Sequence, residues 1–119
     1  MSNNVHWLLQ LSINEGQLDK FKALAEEMSA ATKADEPGAL NYEWFLNDDQ
    51  TECHIYERYT DSAATMVHLG NFGSKFADRF MACVTPTSFL LYGDADQQVR
   101  EALAPLGAVH HPQVAGFAR

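Results

Sequence analysis

The stretch that most constrains this chain runs from Glu36 to Asn71. Glu36-Pro37-Gly38 ends any helix before it, because proline cannot extend a helix and glycine accepts a left-handed backbone. Leu40 to Leu46 then alternates, with Leu40, Tyr42, Trp44 and Leu46 set against Asn41, Glu43 and Phe45. Asn47-Asp48-Asp49-Gln50 reads as a turn, and Cys53 to Tyr59 is its partner strand, so the two form a hairpin. Thr60-Asp61 follows at once, and an aspartate here can accept from the free amides that open a helix. That helix is expected to run to about Leu69, with His68 near its end and Gly70 breaking it. The block is thus a strand–strand–helix unit, the middle of a layered α+β domain.

The flanking segments supply the rest of that domain. Val5 to Ile13 alternates, with Val5, Trp7, Leu9, Leu11 and Ile13 on one face and His6, Leu8, Gln10 and Ser12 on the other, as in a half-buried strand. Asn14-Glu15-Gly16 is a turn signal. From Gln17 to about Ala34, Leu18, Phe21, Leu24, Ala25 and Met28 recur at helical spacing. After Gly70, Phe72, Phe76 and Phe80 repeat every four residues, and Cys83 and Val84 continue this core-facing stripe. Thr87 to Tyr92 reads as a fourth strand. The order β-α-β-β-α-β is the ferredoxin-like pattern, an antiparallel sheet with helices on one face. Beyond Gly93, Gln97 to Ala104 can form a short helix with Val99, Leu103 and Leu106 inward, ended by Pro105 and Gly107. Ala108 to Arg119 is expected to be an extended tail. The chain therefore divides into a domain over residues 1–93 and a C-terminal unit over 94–119, which packs on the same domain or on a partner.

Composition narrows the function classes. A chain of 119 residues is one domain. Its formal net charge of -8 argues against nucleic acid, which calls for a basic patch, and gives no support for an anionic membrane surface. No segment has the length of a membrane span, and the opening Met-Ser-Asn-Asn-Val-His lacks the order of a signal peptide. The expected setting is cytoplasmic. Cys53 and Cys83 match no metal or redox spacing, so both read as reduced thiols, Cys83 in a core. There is no phosphate-cradling glycine loop, nucleophile elbow or zinc signature. His110 and His111 are adjacent on the tail and face opposite ways, a poor chelating pair. His6 and His54 read as sheet or interface residues.

With its hairpin, its aspartate-capped helix and Val67-His68-Leu69, the chain resembles the antibiotic-biosynthesis monooxygenase domain family over roughly Val5 to Gly93. That resemblance implies a ferredoxin-like domain that pairs through its sheet into a dimeric α+β barrel. The chain's own pattern points the same way, because the uncovered face would carry Phe45 or Trp44, depending on register, and a second copy would remove that area from water. The resemblance also implies a monooxygenase needing neither metal nor flavin, acting on an aromatic or quinol-like molecule.

His68 is the family-matched position bordering the cleft between helices and sheet. A histidine can take a proton from a phenol near neutral pH, and the resulting anion is electron-rich enough to pass an electron to oxygen. Its bland alternative is a helix-end histidine stabilising the dipole. Glu57, mid-strand in Ile-Tyr-Glu-Arg-Tyr, is the second catalytic candidate; if buried it must pair or stay protonated, and it could orient His68. Tyr42, Trp44 and Tyr56 could stack on or bond a flat ring, or simply pack. Asn71 is either a ligand or the cap of the next helix.

Other branches of the family fit less well. The haem-degrading one needs a strand-one asparagine and an iron-ligating histidine, where this chain has Leu9-Gln10 and Asp78-Arg79. Another carries a second histidine five residues after the first, where this chain has Gly73. Phosphate recognition would fall to Arg58 or Arg79. The alternative function is a non-oxygenase dimer that binds or isomerises a small molecule.

Overall fold

The computed structural model describes residues 2–119. Strand β1 (Val5–Ile13) leads into helix α1 (Leu18–Asp35), then the hairpin β2 (Ala39–Leu46) and β3 (Glu52–Tyr59). Helices α2 (Ser62–Lys75) and α3 (Ala77–Cys83) precede β4 (Val84–Gly93), and the chain ends with α4 (Gln97–Leu103), a 3-10 turn (Ala104–Leu106) and β5 (Val109–His111). The sheet order is β2-β3-β1-β4-β5. The first four strands pair antiparallel and form the ferredoxin-like sheet read from the sequence; β5 is an addition, parallel to β4.

Side-chain periodicity assigns the faces as the alternation implied. Val5, Trp7 and Leu11 of β1 and Cys53, Ile55, Glu57 and Tyr59 of β3 point toward the helices and are buried. Phe21, Leu24 and Met28 of α1 pack on them together with Phe76, Phe80, Cys83 and Val84. Both cysteines are free and buried. A second cluster joins Val5, Trp7, Tyr59, Phe89 and Leu91 to Val99 and Leu103 of α4. The C-terminal unit thus contributes directly to the core. On α2 the inward face carries Thr65 and His68, with Phe72 packed beside them.

Several boundaries differ from the sequence reading, each for a local reason. Gly70 does not end the helix, and α2 runs on to Lys75. An interior glycine costs only about 1 kcal/mol relative to alanine, which the packing of Leu69 and Phe72 on either side can offset. The break falls at Phe76, whose φ of -128° leaves the helical region while its N–H still donates to Phe72 O. His68 therefore lies within the helix. Leu40 does not share a face with Tyr42: the β2–β3 register shifts between Ala39 and Asn41, and Leu40 is the extra, exposed residue of that bulge. Strand β4 begins at Val84, not Thr87. Pro86 is accommodated because the β1–β4 register also shifts there, pairing Gln10 with Ser88 and Leu11 with Pro86. Leu106, expected inward, is half exposed on the 3-10 turn. The tail is not uniformly extended coil, since Val109–His111 adds the fifth strand.

Because Val99 and Leu103 are fully buried against β1 and β4, Leu103→Ala should lower unfolding free energy in urea by about 2–5 kcal/mol, the usual range for a leucine cavity. Val114→Ala, at a side chain in full solvent, should leave it within about 0.5 kcal/mol.

Candidate active site

The sheet register builds the floor of the site. Trp7 of β1 and Tyr42 of β2 both lie opposite Glu57 of β3, so the three side chains form one row on the helix-facing side. Glu57 is only 5 % exposed, and a carboxylate there must be fully bonded. Trp7 Nε1–H donates to its Oε2 at 2.7 Å, and Tyr59 O–H donates to its Oε1 at 2.7 Å. Helix α2 lays His68 over this row, with Nε2 3.2 Å from Glu57 Oε1.

The other ring nitrogen meets a residue the sequence reading took only as a helix terminator. Glu36 caps α1, its N–H donating to Thr32 O, and its carbonyl accepts from Ala39 N–H. Gly38 in the same turn lies so close to α2 that an added Cβ would come within 2.6 Å of Ala64 Cβ. That approach brings Glu36 against the helix. His68 Nδ1 donates to Glu36 Oε1 at 2.9 Å, and Asn71 Nδ2, one turn on, donates to Glu36 Oε2 at 3.2 Å. Asn71 thus sits inside α2 and holds Glu36 instead of capping the following helix.

Carboxylate, imidazole and carboxylate form a buried chain, Glu36–His68–Glu57. Burial disfavours a charged imidazole, yet the hydrogen bonds to Glu36 and Glu57 outweigh it and push the His68 pKa up to about 9. For Glu36, burial pulls the carboxyl upward, but His68, Asn71 and Lys75 more than reverse it, leaving its pKa below the usual value. Burial, then the negative field of Glu57, raises the phenols of Tyr42 and Tyr59 far above their ordinary range, so both are neutral. The shift favours the protonated ring near neutral pH, with Nδ1–H bonded to Glu36 and Nε2 in ion-pair contact with Glu57, where the family position led to the expectation of a base. Tyr42 and Tyr59 pack their rings on it with centroids 5.2 and 5.0 Å away.

A cavity of about 380 Å³ opens beside this chain of groups. Glu57, His68 and Tyr42 are its polar edge, Trp44, Phe72 and Phe80 form aromatic wall, and Leu103, Pro105 and Leu106 close it from the C-terminal unit. Glu36 is not part of the lining. Trp44 Nε1–H is the one buried side-chain polar atom without a partner among the described residues. Tyr56 is not brought to this site. It lies on the opposite face of β3, bonded to His6 Nδ1 at 3.1 Å. Arg58 bonds Asn41 and Asn4, and Arg79 forms a surface pair with Glu27, so neither offers a phosphate a place in the cavity. Among the described residues no group of three metal-binding side chains is gathered, and no helix is long and apolar enough to cross a membrane.

A family model described as antibiotic biosynthesis monooxygenase matches residues 5–82. The chain belongs to that family. Its fold is similar to the crystal structure of MupZ from Pseudomonas fluorescens, at 22% identity and a TM-score of 0.83, covering 99% of this chain and 96% of that one. It is also similar to SnoaB, a cofactor-independent oxygenase from Streptomyces nogalater, at 18% identity and a TM-score of 0.65, covering 76% of this chain and 91% of that one. A putative antibiotic biosynthesis monooxygenase from Caulobacter crescentus CB15 matches at 19% identity and a TM-score of 0.66, over 81% of this chain and 92% of that one. The MupZ match extends through the C-terminal unit that lies beyond the family model. No curated protein matches the chain significantly by sequence.

Linkage gives a measurable consequence. The folded His68 pKa of about 9 exceeds the ordinary histidine value of 6.5, so its stabilisation is complete below the lower value and disappears as pH rises through the upper one. Unfolding free energy should fall by up to about 3 kcal/mol between those limits. His68→Gln should remove that slope, as read from urea denaturation across the same pH range.

Proposed function

We propose that this chain is a cofactor-independent monooxygenase that oxidises a neutral aromatic or quinol-like small molecule with O2, working as a homodimer. The observation that carries this reading is the buried Glu36–His68–Glu57 chain at the edge of an otherwise apolar, aromatic cavity. A flat ring suits walls made by Trp44, Phe72 and Phe80. Two carboxyl side chains beside the His68 ring disfavour an acid that arrives already ionised, and Glu57, which borders the cavity, is placed to take up a proton from a neutral hydroxyl compound.

In this proposal Glu57 accepts that proton, and the His68 imidazolium remains beside the new anion to stabilise it. The anion gives one electron to O2, and the resulting radical and superoxide combine into a peroxide. Loss of water then leaves one oxygen atom in the product carbonyl. The other oxygen departs as water with the hydroxyl proton returned by Glu57 and the hydrogen of the oxidised carbon. The substrate is itself the reductant, which is why no flavin or metal enters. Trp44 Nε1–H, unpaired within the chain, offers a donor to a carbonyl or ether oxygen elsewhere on the ring system. Tyr56 and Asn71 have no direct part in this assignment.

Oxygen uptake with a panel of quinols, naphthols and anthrones, with a chelator present, tests it. Glu57→Gln and His68→Ala should each lower uptake by about 10²–10⁴-fold while circular dichroism stays at the parent spectrum. Parent-level uptake in both variants would rule out the assigned roles. A second reading, isomerisation by proton transfer, is favoured by one observation: an imidazolium is already a proton donor at neutral pH. It requires turnover of the same compounds without oxygen consumption.

The homodimer rests on the sheet face opposite the helices. Phe45 is 55 % exposed there, and Leu8, Tyr56, Tyr92 and Leu90 surround the centre of that face. A second copy laid face to face would bury this surface. Sedimentation at micromolar concentration should give twice the chain mass, and Phe45→Glu should shift the protein toward monomer; a parent protein that sediments as a single chain would exclude the pairing.

A further inference from the structure

We propose that Glu36 is a positioning residue for the reaction, holding His68 in its doubly protonated form with Nε2 beside Glu57. The inference rests on the site reading above and extends it to a residue outside the cavity. Glu36 is 6 % exposed and takes no part in the cavity lining, so it reaches substrate only through His68.

Geometry favours the charged ring. A neutral imidazole has one N–H and one lone pair. Between two buried carboxylates it could donate to one and would turn its lone pair on the other, leaving a buried negative group facing negative density. Nδ1 is hydrogen-bonded to Glu36 at 2.9 Å and Nε2 lies in ion-pair contact with Glu57 at 3.2 Å, and a proton on each nitrogen suits both ionised neighbours. Glu57 alone would not enforce this, because it already accepts from Trp7 and Tyr59. Glu36 supplies the second demand, and it cannot swing away: Asn71 holds its other oxygen and the Glu36–Gly38 turn is pressed on α2. The groups that face His68 are Glu36 from the α1 cap, Glu57 and Tyr59 from β3, Tyr42 from β2 and Trp7 from β1; Lys75 acts on Glu36 from the last turn of α2. Of these, Glu36 and Glu57 raise the affinity of the ring for its second proton, and only Glu57 also borders the cavity.

The test is the titration of the His68 ring, followed by NMR on uniformly ¹⁵N-labelled protein without substrate. In the parent it should stay protonated to a pKa of about 9. In Glu36→Gln, which keeps the side-chain size and an acceptor but removes the charge, the midpoint should fall by about one pH unit or more. The conservative Glu36→Asp should restore part of that shift. In oxygen uptake, Glu36→Gln should reduce kcat by about 10–100-fold with KM within about threefold, and the alkaline limb of the pH profile should move down with the NMR midpoint. If Glu36→Gln fails to fold, Asn71→Ala loosens the same carboxylate and should give a smaller shift in the same direction. A His68 midpoint unchanged in the folded variants overturns the proposal, whatever happens to melting temperature. The NMR arm needs no turnover, so absent oxygen uptake in the parent counts against the oxygenase reading and leaves the Glu36 assignment to be decided by the titration.

Discussion

A charged imidazole bonded on both sides by buried carboxylates is the interaction on which the functional part of this structure depends. Taking three ionised groups out of water is costly unless each finds full hydrogen-bond partners. Here the partners come from every layer around them: Trp7 from β1, Tyr59 from β3, Asn71 from α2 and the turn that closes α1. The arrangement is all-or-none in character. Removing one carboxylate leaves a partner buried with a missing bond.

The fold supplies this arrangement through register and close approach. Antiparallel pairing sets Trp7, Glu57 and Tyr42 in one row across three strands, and the uninterrupted α2 carries both His68 and Asn71 over it. Had the helix ended at Gly70, Asn71 would have left the face that meets Glu36. The small side chain at Gly38 lets the α1–β2 turn lie against Ala64. The C-terminal unit then completes both the core, through Val99 and Leu103, and the cavity, through Pro105 and Leu106. A residue far from the hairpin in sequence thus helps set the shape available to a ligand.

Much of the fold was legible because strand alternation and helical spacing are local signals. Period two put Tyr42 and Trp44 on one face of their strand and Phe45 on the other, the register decided which of these faces the helices, and the family likeness pointed to His68. What local pattern could not show was where irregularities fall. Leu40 looked like a core residue until the bulge displaced it, Pro86 looked like loop until a second bulge admitted it, and Gly70 looked like a stop because intrinsic propensity carried no information about the packing around it. Tyr56 has the aromatic character of a pocket residue but the parity of the opposite face, and that parity was already present in Cys53 to Tyr59. Glu36 gave no such signal. In Glu36-Pro37-Gly38 it reads as the end of a helix, and its partner His68 lies 32 positions away.

The sequence by itself determined the first four strands, the helices between them and their order, since these depend on side-chain period, capping and turn residues close in the chain. Only the tertiary structure decided which groups surround His68. That environment depends on which charges meet in a low-dielectric interior, and Glu36, Glu57, Trp7 and Tyr59 reach His68 from separate elements. Their distances, not their identities, raise the affinity of the ring for its second proton, because the free energy of a buried charge is set by the donors and acceptors within hydrogen-bond reach.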